Sequence, residues 1–294
     1  MVETPVPPAR YAGAVTLFVF GGITQYIGAA IAVGVFPHAP ALAVSWWRIM
    51  FAALFLLAWR RPWRLERSWW RQAAAFGIVL AAMNTTFYVA IEHIPLGTTV
   101  ALEFVGPIAV AAMTGRGWTQ RAAITAAGLG VVVIGGLGLD WGSPGTVLGL
   151  LAALAAGALW GLYVTLGSRL ARRTDGMDGL SVAMTAGAVA FLPLAFLTPP
   201  SALTDRGVMG SLVLVALLSS VVPYVVDQLN FGVLPPATFA ILLALLPATS
   251  VLVGALALAQ IPNVFELAGL ALISAAVLLA NLPQGRRPRL SAHG

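Results

Sequence analysis

Residues Asn84–Ala111 read NTTFYVAIEHIPLGTTVALEFVGPIAVA. Apolar side chains run through the stretch, Pro95 interrupts it near its middle, and a carboxylate, Glu103, lies deep in its second half. Proline ends one helix and starts the next, because it lacks the backbone N–H and restrains the residue before it. A fainter copy lies downstream. Leu234-Pro235, Thr238 and Pro247 follow Ile94-Pro95, Thr98 and Pro107 at one constant offset of 140 residues. The spacing predicts two halves that each contain a helix–Pro turn–helix unit, with a charge placed where hydrocarbon is expected.

Composition agrees with a lipid-solvated chain. Of 294 residues, 60% are hydrophobic and 9% charged, with a mean hydropathy of +0.92. Soluble domains carry roughly 25% charged residues, so this chain cannot cover a water-facing surface. The net charge of +6 does not indicate nucleic acid, because the arginines cluster in short segments between apolar runs and form no single basic face. All basic residues other than histidine are Arg, which is read as composition bias. There is no Cys, which excludes disulfides, thiolate catalysis and Cys-based metal sites. The N-terminus, MVETPVPPARYAG, lacks a basic segment followed by a cleavage site. No signal peptide is therefore expected, and the first apolar run is itself a span.

A membrane helix needs about 20 mostly apolar residues. Ten runs qualify: Ala12–Gly34, Ala41–Trp59, Trp70–Ile91, Leu96–Thr114, Arg121–Leu139, Gly145–Ser168, Gly179–Leu197, Val208–Phe231, Pro236–Ala259 and Asn263–Asn281. Proline steps separate them, and they are too long and too continuous for barrel strands. Arg10, the Arg60–Arg71 cluster, Arg116, Arg121, Arg169, Arg172, Arg173 and the tail arginines Arg286, Arg287 and Arg289 all fall on one side of a ten-span chain. Basic residues stay cytoplasmic, so both termini are expected there, in a multi-pass protein of the plasma or inner membrane. The expected fold is all-α and integral to the membrane, with ten transmembrane helices as two five-helix repeats. An odd number of spans per repeat inverts the second half, a design that places a substrate site between the halves near the midplane. The expected division is residues 1–140 and 141–285 as the two repeats, with 286–294 as a cytoplasmic tail.

Charges at bilayer depth cost about 3 kcal/mol or more each, so those retained need reasons. Glu103 shares a helical face with Thr99 and Gly106. It is a candidate for a substrate ammonium or a proton, against a structural carboxylate bonded to a neighbouring helix. Asp227 lies about one turn from the cytoplasmic end of the eighth run, where water or an arginine also accounts for it. Arg48 matches a substrate carboxylate in geometry and equally suits a structural partner for a helix end or buried acid. Asn84 and Tyr88, four residues apart, face one way. Gly21, Gln25 and Gly28 line a face of the first run, and Trp160 and Tyr163 lie mid-span in the sixth. Gln25, Asn84, Tyr88, Trp160 and Tyr163 are candidate cavity-wall residues, with ordinary packing as the alternative. Trp46, Trp47, Trp59, Trp63, Trp69, Trp70 and Trp118 read as interfacial anchors. His38, His93 and His293 have no metal-ligand partners at usable spacing, and no nucleophile–base pair is present. No cofactor, metal or enzymatic activity is expected. The partners expected are lipid and a small-molecule substrate. Protons are a candidate coupling ion, and a homodimer is compatible with the sequence.

The motifs resemble the drug/metabolite transporter superfamily, in particular its EamA-domain proteins with two repeats and the threonine/homoserine exporter branch. The resemblance covers nearly the whole chain. It is carried by Met83-Asn84, Phe87-Tyr88, Ile94-Pro95-Leu96-Gly97, Ala101-Leu102-Glu103-Phe104, Gly106-Pro107, Pro62-Trp63-Arg64-Leu65, Gly157-Ala158-Leu159-Trp160 with Tyr163, and Pro223-Tyr224. It implies two inverted five-helix halves around a central cavity, and export of small amino acids or related metabolites driven by protons or exchange. The same fold with an aromatic or drug-like cargo, or an importer, is the alternative. Two positions depart from the pattern. Such proteins usually carry Glu before the proline of the ninth span and often end that span with Gly-Glu; here these are Leu246 and Ala259-Gln260.

Overall fold

A computed structural model describes residues 8–60, 66–114, 118–171, 176–230 and 236–280. The helices are α1 Pro8–Val35, α2 Ala41–Trp59, α3 Arg67–His93, α4 Leu96–Glu103, α5 Val105–Thr114, α6 Trp118–Val133, α7 Thr146–Ala171, α8 Gly176–Ala190, α9 Pro200–Thr204, α10 Arg206–Ala216, α11 Val222–Asn230, α12 Pro236–Leu258 and α13 Val264–Ala280. No strand occurs among the described residues. Six helical segments are long and apolar enough to cross a membrane, and shorter apolar helices occupy Leu96–Val110, Met177–Ala190, Leu245–Leu258 and Val264–Ala280. Each of the apolar runs read from the sequence is thus occupied by helix. Outward-facing positions carry large apolar side chains such as Phe20, Val132, Leu151, Phe196 and Leu256, a periphery suited to acyl chains.

Three runs are less regular than their hydropathy suggests. The fourth divides into α4 and α5 at Phe104. Pro107 accounts for this, because it has no N–H to donate to the Glu103 carbonyl and its ring crowds that carbonyl. The seventh leaves α-geometry after Ala190 and continues as a 3₁₀ turn over Leu192–Leu197, with Pro193 at its start. The eighth is interrupted by a π turn, Leu217–Val221, between α10 and α11. A second π turn, Ile134–Gly138, ends the α6 span. The exposed loop after it is shaped by Asp140. The Ser143 hydroxyl donates to this carboxylate at 2.6 Å and the Gly142 N–H at 3.0 Å. These bonds hold its pKa below the usual carboxylate value.

Helices from the N-terminal part pack mainly on helices from the C-terminal part. α3 lies against α7 and α8, α1 against α10, α11 and α12, α2 against α8 and α10, α4 and α5 against α7, α4 against α12, and α6 against α13. Small residues make these crossings close, as expected where lipid removes the hydrophobic drive and van der Waals contact dominates. A Cβ added at Gly77 of α3 would sit 1.9 Å from the Ala183 carbonyl oxygen of α8. One added at Gly106 of α5 would sit 1.6 Å from the Gly157 carbonyl oxygen of α7.

The tryptophans divide. Trp59 and Trp118 are exposed near span ends, as interfacial anchors are. Trp46 is not an anchor: it is buried, and its Nε1 donates to the Ala188 carbonyl of α8 at 2.9 Å. Trp47 is partly buried and donates through Nε1 to Thr198 Oγ1 at 3.0 Å. An indole N–H taken out of water needs an acceptor, and both acceptors lie across the bundle, out of reach of local sequence reasoning.

Candidate functional site

Arg48 is the centre of the buried polar network. It is 4% exposed on α2. Its Nε donates to Ser220 Oγ at 2.8 Å and an Nη2 hydrogen goes to the Ser219 carbonyl. Both acceptors belong to the π turn between α10 and α11. The wider i→i+5 repeat of such a turn disrupts regular carbonyl pairing, and the guanidinium takes up the Ser219 oxygen. The Ser219 hydroxyl in turn donates to the Gln25 carbonyl of α1 at 3.0 Å. Gly28, one turn further along α1, leaves room for it: a Cβ there would lie 2.2 Å from Ser219 Oγ. The Gly21, Gln25 and Gly28 face of the first span is therefore turned to α10–α11. The guanidinium also lies over the Tyr88 ring, 5.2 Å from its centroid, a cation–π contact. The Tyr88 hydroxyl is fully buried beside Ser219 and Arg48, yet closes no well-aligned hydrogen bond.

Glu103 ends α4 at the break imposed by Pro107. Its backbone touches α7, where a Cβ on Gly157 would come within 2.6 Å of the Glu103 oxygen. Its side chain is partly buried and lies within electrostatic range of the Arg48 guanidinium. Among the described residues, however, the carboxylate has neither a hydrogen bond nor an ion pair within 4.0 Å. Arg48 likewise has no ion-pair partner among them. The next residue, Phe104, meets Trp160 edge to face with centroids 4.7 Å apart.

Asn84 lies on the same helix, one turn from Tyr88. It donates through Nδ2 to the Leu80 carbonyl at 2.8 Å and reaches the Tyr224 hydroxyl at 3.5 Å. Tyr163 stacks on Phe76 at 4.9 Å and lies 6.4 Å from the Tyr224 ring. Of the expected residues, Arg48, Tyr88 and the Gln25 backbone form one group and Asn84, Tyr224 and Tyr163 an adjoining one, while Glu103 lies at the α4–α5 break against α7, where Trp160 meets Phe104. Asp227 lies on α11, and its side chain is outside the described residues.

Sequence reasoning passed over Ser219 and Ser220, which carry no charge to flag them. It also passed over Glu266, 8% exposed at the start of α13. Glu266 Oε1 accepts from the Thr98 hydroxyl at 2.6 Å and Oε2 from the Asn263 N–H at 2.9 Å. Asn263 Oδ1 accepts from the Phe265 and Glu266 N–H groups, both at 3.0 Å. This is a reciprocal capping box, legible in the Asn-x-x-Glu spacing. Asn263 Nδ2 also donates to the Gly138 carbonyl at 2.7 Å, so the cap joins α13 to α4 and to the end of the α6 span. A cavity of about 100 Å³ adjoins it, lined in part by Gly97, Thr98, Gln260 and Glu266. Both Glu266 oxygens are already bonded, which makes this cluster structural.

Comparison with known proteins places the chain. Residues 147–282 match the EamA-like transporter family. The threonine/homoserine exporter RhtA of Salmonella typhimurium (strain SL1344) is 31% identical over 265 residues, 90% of this chain and 89% of that protein. RhtA of Escherichia coli (strain K12) is 32% identical over 257 residues, 87% of this chain and 86% of its own. This chain belongs to the EamA-like transporter family. It is thereby a multi-pass membrane protein of a family of transporters. A solved crystal structure of a protein also superposes with a TM-score of 0.62 at 18% identity, over 92% of this chain and 97% of its own, which speaks to the fold alone.

The two departures from the EamA pattern have local explanations. Leu246 packs on α1, where a Cβ at Gly22 would meet its Cδ2 at 2.6 Å; an apolar contact stands where an acid is usual. Ala259 has φ 54°, in the left-handed region that glycine enters freely and other residues enter at a cost of roughly 1 kcal/mol or more. That conformation turns the chain so that the Gln260 N–H donates to the Gly254 carbonyl at 3.1 Å. Gln260 Oε1 then accepts the Leu96 N–H at 2.9 Å and caps α4, whose own N-cap, Pro95, supplies no side-chain acceptor. Ala259→Gly is therefore expected to stabilise the protein by about 1 kcal/mol, read as a raised thermal midpoint in detergent with transport unchanged.

Proposed function

We propose that this chain is a secondary transporter that exports small, threonine- or homoserine-like amino acids or related metabolites across the plasma membrane by alternating access. The observation that carries the proposal is the Glu103 carboxylate. It is partly buried at a helix break packed on α7, and it takes no partner among the described residues. An intramembrane acid left unpaired is expected to serve a substrate or a proton. In this reading protons are the coupling ion, and the RhtA relatives supply the class of cargo.

The division at residue 140 into two inverted five-helix repeats belongs to the same proposal, and the helix pairings support it. A shift of five spans turns α3–α7 into α10/α11–α1, α3–α8 into α10–α2, and α5–α7 into α12–α1. The same shift returns α2–α8, α4–α12 and α6–α13 to themselves. The Asn84–Tyr224 contact joins residues 140 apart, the offset of the sequence repeat. Cytoplasmic termini follow from the arginine distribution. A second reading keeps the fold and changes the cargo to aromatic compounds. The Phe104–Trp160 and Phe76–Tyr163 pairs beside the polar groups favour it.

Purified protein in liposomes, loaded with a panel of labelled amino acids and assayed with and without a pH gradient, tests the proposal. Threonine and homoserine are expected to leave faster than from protein-free liposomes, with a rate that responds to the gradient. Efflux indistinguishable from the protein-free control for every amino acid would reject it, and preferential movement of aromatic compounds would select the second reading.

A further inference from the structure

We propose that the hydrogen bonds around Glu266 form a latch between the two halves of the chain, and that the end of the bundle they close is the end that stays shut in the empty transporter. The inference rests on the two-repeat, alternating-access reading above and adds to it which end is shut. The Thr98 hydroxyl donates to Glu266 Oε1 at 2.6 Å, the Leu96 N–H to Gln260 Oε1 at 2.9 Å and Asn263 Nδ2 to the Gly138 carbonyl at 2.7 Å. Each of these bonds joins a residue of the first half to one of the second. All lie where the α3–α4 turn, the end of the α6 span and the α12–α13 turn meet. The cluster takes no ligand, because its carboxylate oxygens are bonded, but the halves cannot part at this end while it is intact. Thr98 is 5% exposed and Glu266 8%. Separation strips such buried groups of their partners, which is costly until water reaches them. Apolar contact tightens the same seam: a Cβ on Gly97 of α4 would lie 2.4 Å from Val251 Cγ2 of α12.

The repeat does not reproduce this latch at the opposite end. α6 and α13 cross where a Cβ on Gly130 would meet Ile273 at 2.7 Å and one on Gly269 would meet Ile134 at 2.4 Å. The two contacts exchange when Gly130 is paired with Gly269 and Ile134 with Ile273, an offset of 139 residues in both cases. At that offset Glu266 corresponds to Ala127 and Asn263 to Ile124. At the offset of 140 that relates the fourth and ninth spans, Leu96 corresponds to Pro236. Alanine and isoleucine side chains neither donate nor accept, and proline has no N–H. The mirror-image state therefore lacks all of these bonds. At the opposite end the ion pair Arg60–Asp178, 3.0 Å long, joins α2 to α8 from partly exposed side chains, and such pairs contribute little. Contacts made in one state and missing from its mirror image shift the population toward the first.

The test is the accessibility of a cysteine placed beneath the latch. The chain has no Cys of its own, and Ala101 is fully buried in the wall of the cavity next to Thr98 and Glu266. Ala101→Cys is labelled with a polar maleimide in lipid nanodiscs, without substrate, alone and combined with Thr98→Val or Glu266→Ala. Labelling is expected to be slow in the reporter alone and at least about tenfold faster with either latch variant, from the loss of one or two hydrogen bonds. Asp178→Asn, which weakens the tie at the opposite end, is expected to leave the rate at position 101 unchanged. Fast labelling of the reporter alone, or a rate that neither latch variant alters, overturns the latch. Failure of both latch variants to fold would mark the bonds as structural supports and overturn it too. Labelling needs no transport, so either outcome alongside amino-acid efflux from wild-type liposomes leaves the functional reading standing, whereas absent efflux rejects that reading first.

Discussion

Glu103→Gln is expected to abolish threonine and homoserine efflux while the protein still folds and inserts. The substitution keeps the size and shape of the side chain and removes only its charge. It breaks no hydrogen bond or ion pair, because the carboxylate has none among the described residues. Stability should therefore change by less than about 1 kcal/mol. The effect on transport is of another order. Loss of a charge-assisted contact to an ammonium weakens binding by roughly 10- to 100-fold, and loss of a proton carrier removes coupling altogether. Efflux from liposomes, together with intracellular threonine and homoserine after dipeptide loading, reads the loss of transport; the thermal midpoint reads the unchanged stability. Glu103→Asp keeps the charge on a shorter stem and should retain partial efflux. Full efflux in the Gln variant would remove Glu103 from the mechanism.

The apolar runs were legible because hydropathy is a local property and lipid leaves few alternatives to helix. The break at Phe104 was less so: Leu96–Thr114 reads as one apolar run, and although Pro107 acts on the carbonyl four residues earlier, Pro247 sits inside α12 without dividing it. The π turn at Leu217–Val221 was not. Nothing in Leu-Leu-Ser-Ser-Val signals it, and the group that takes its carbonyl, Arg48, lies 171 residues away. The same distance effect hid the fate of Trp46, whose acceptor is 142 residues off. Of the candidate site, the charged members announced themselves by their cost in lipid. Ser219 and Ser220 are polar residues of ordinary kinds, and only the fold brings them to Arg48. Glu266 was a different omission: its capping spacing with Asn263 was present in the sequence, but its place at a span end made it look solvated.

Gly106→Val is expected to prevent the protein from accumulating as a folded species in the membrane. The neighbouring glycine on α7 explains the severity. A Cβ at Gly106 would lie 1.6 Å from the Gly157 carbonyl oxygen and 2.3 Å from its carbonyl carbon. Both are backbone atoms of a helix interior, so no side chain can turn aside to make room. α5 and α7 would have to separate by more than an ångström, and separation gives up the close contact that drives helix association in lipid. Overpacking a core typically costs about 1–3 kcal/mol, and a clash against rigid backbone belongs at or above the top of that range. Gly128→Ala is the matched control. Gly128 is an exposed position of α6 with nothing within 4 Å of an added Cβ, so the gain in helix propensity, about 1 kcal/mol, should be neutral or stabilising there. Size-exclusion profiles and thermal midpoints in detergent distinguish the two. The consequence reaches the site as well, because the α5–α7 crossing also carries the Glu103 backbone against Gly157. Gly106→Ala places the same Cβ against that oxygen, so it too should lower the thermal midpoint, and efflux should fall with it because the Glu103 backbone shifts against Gly157.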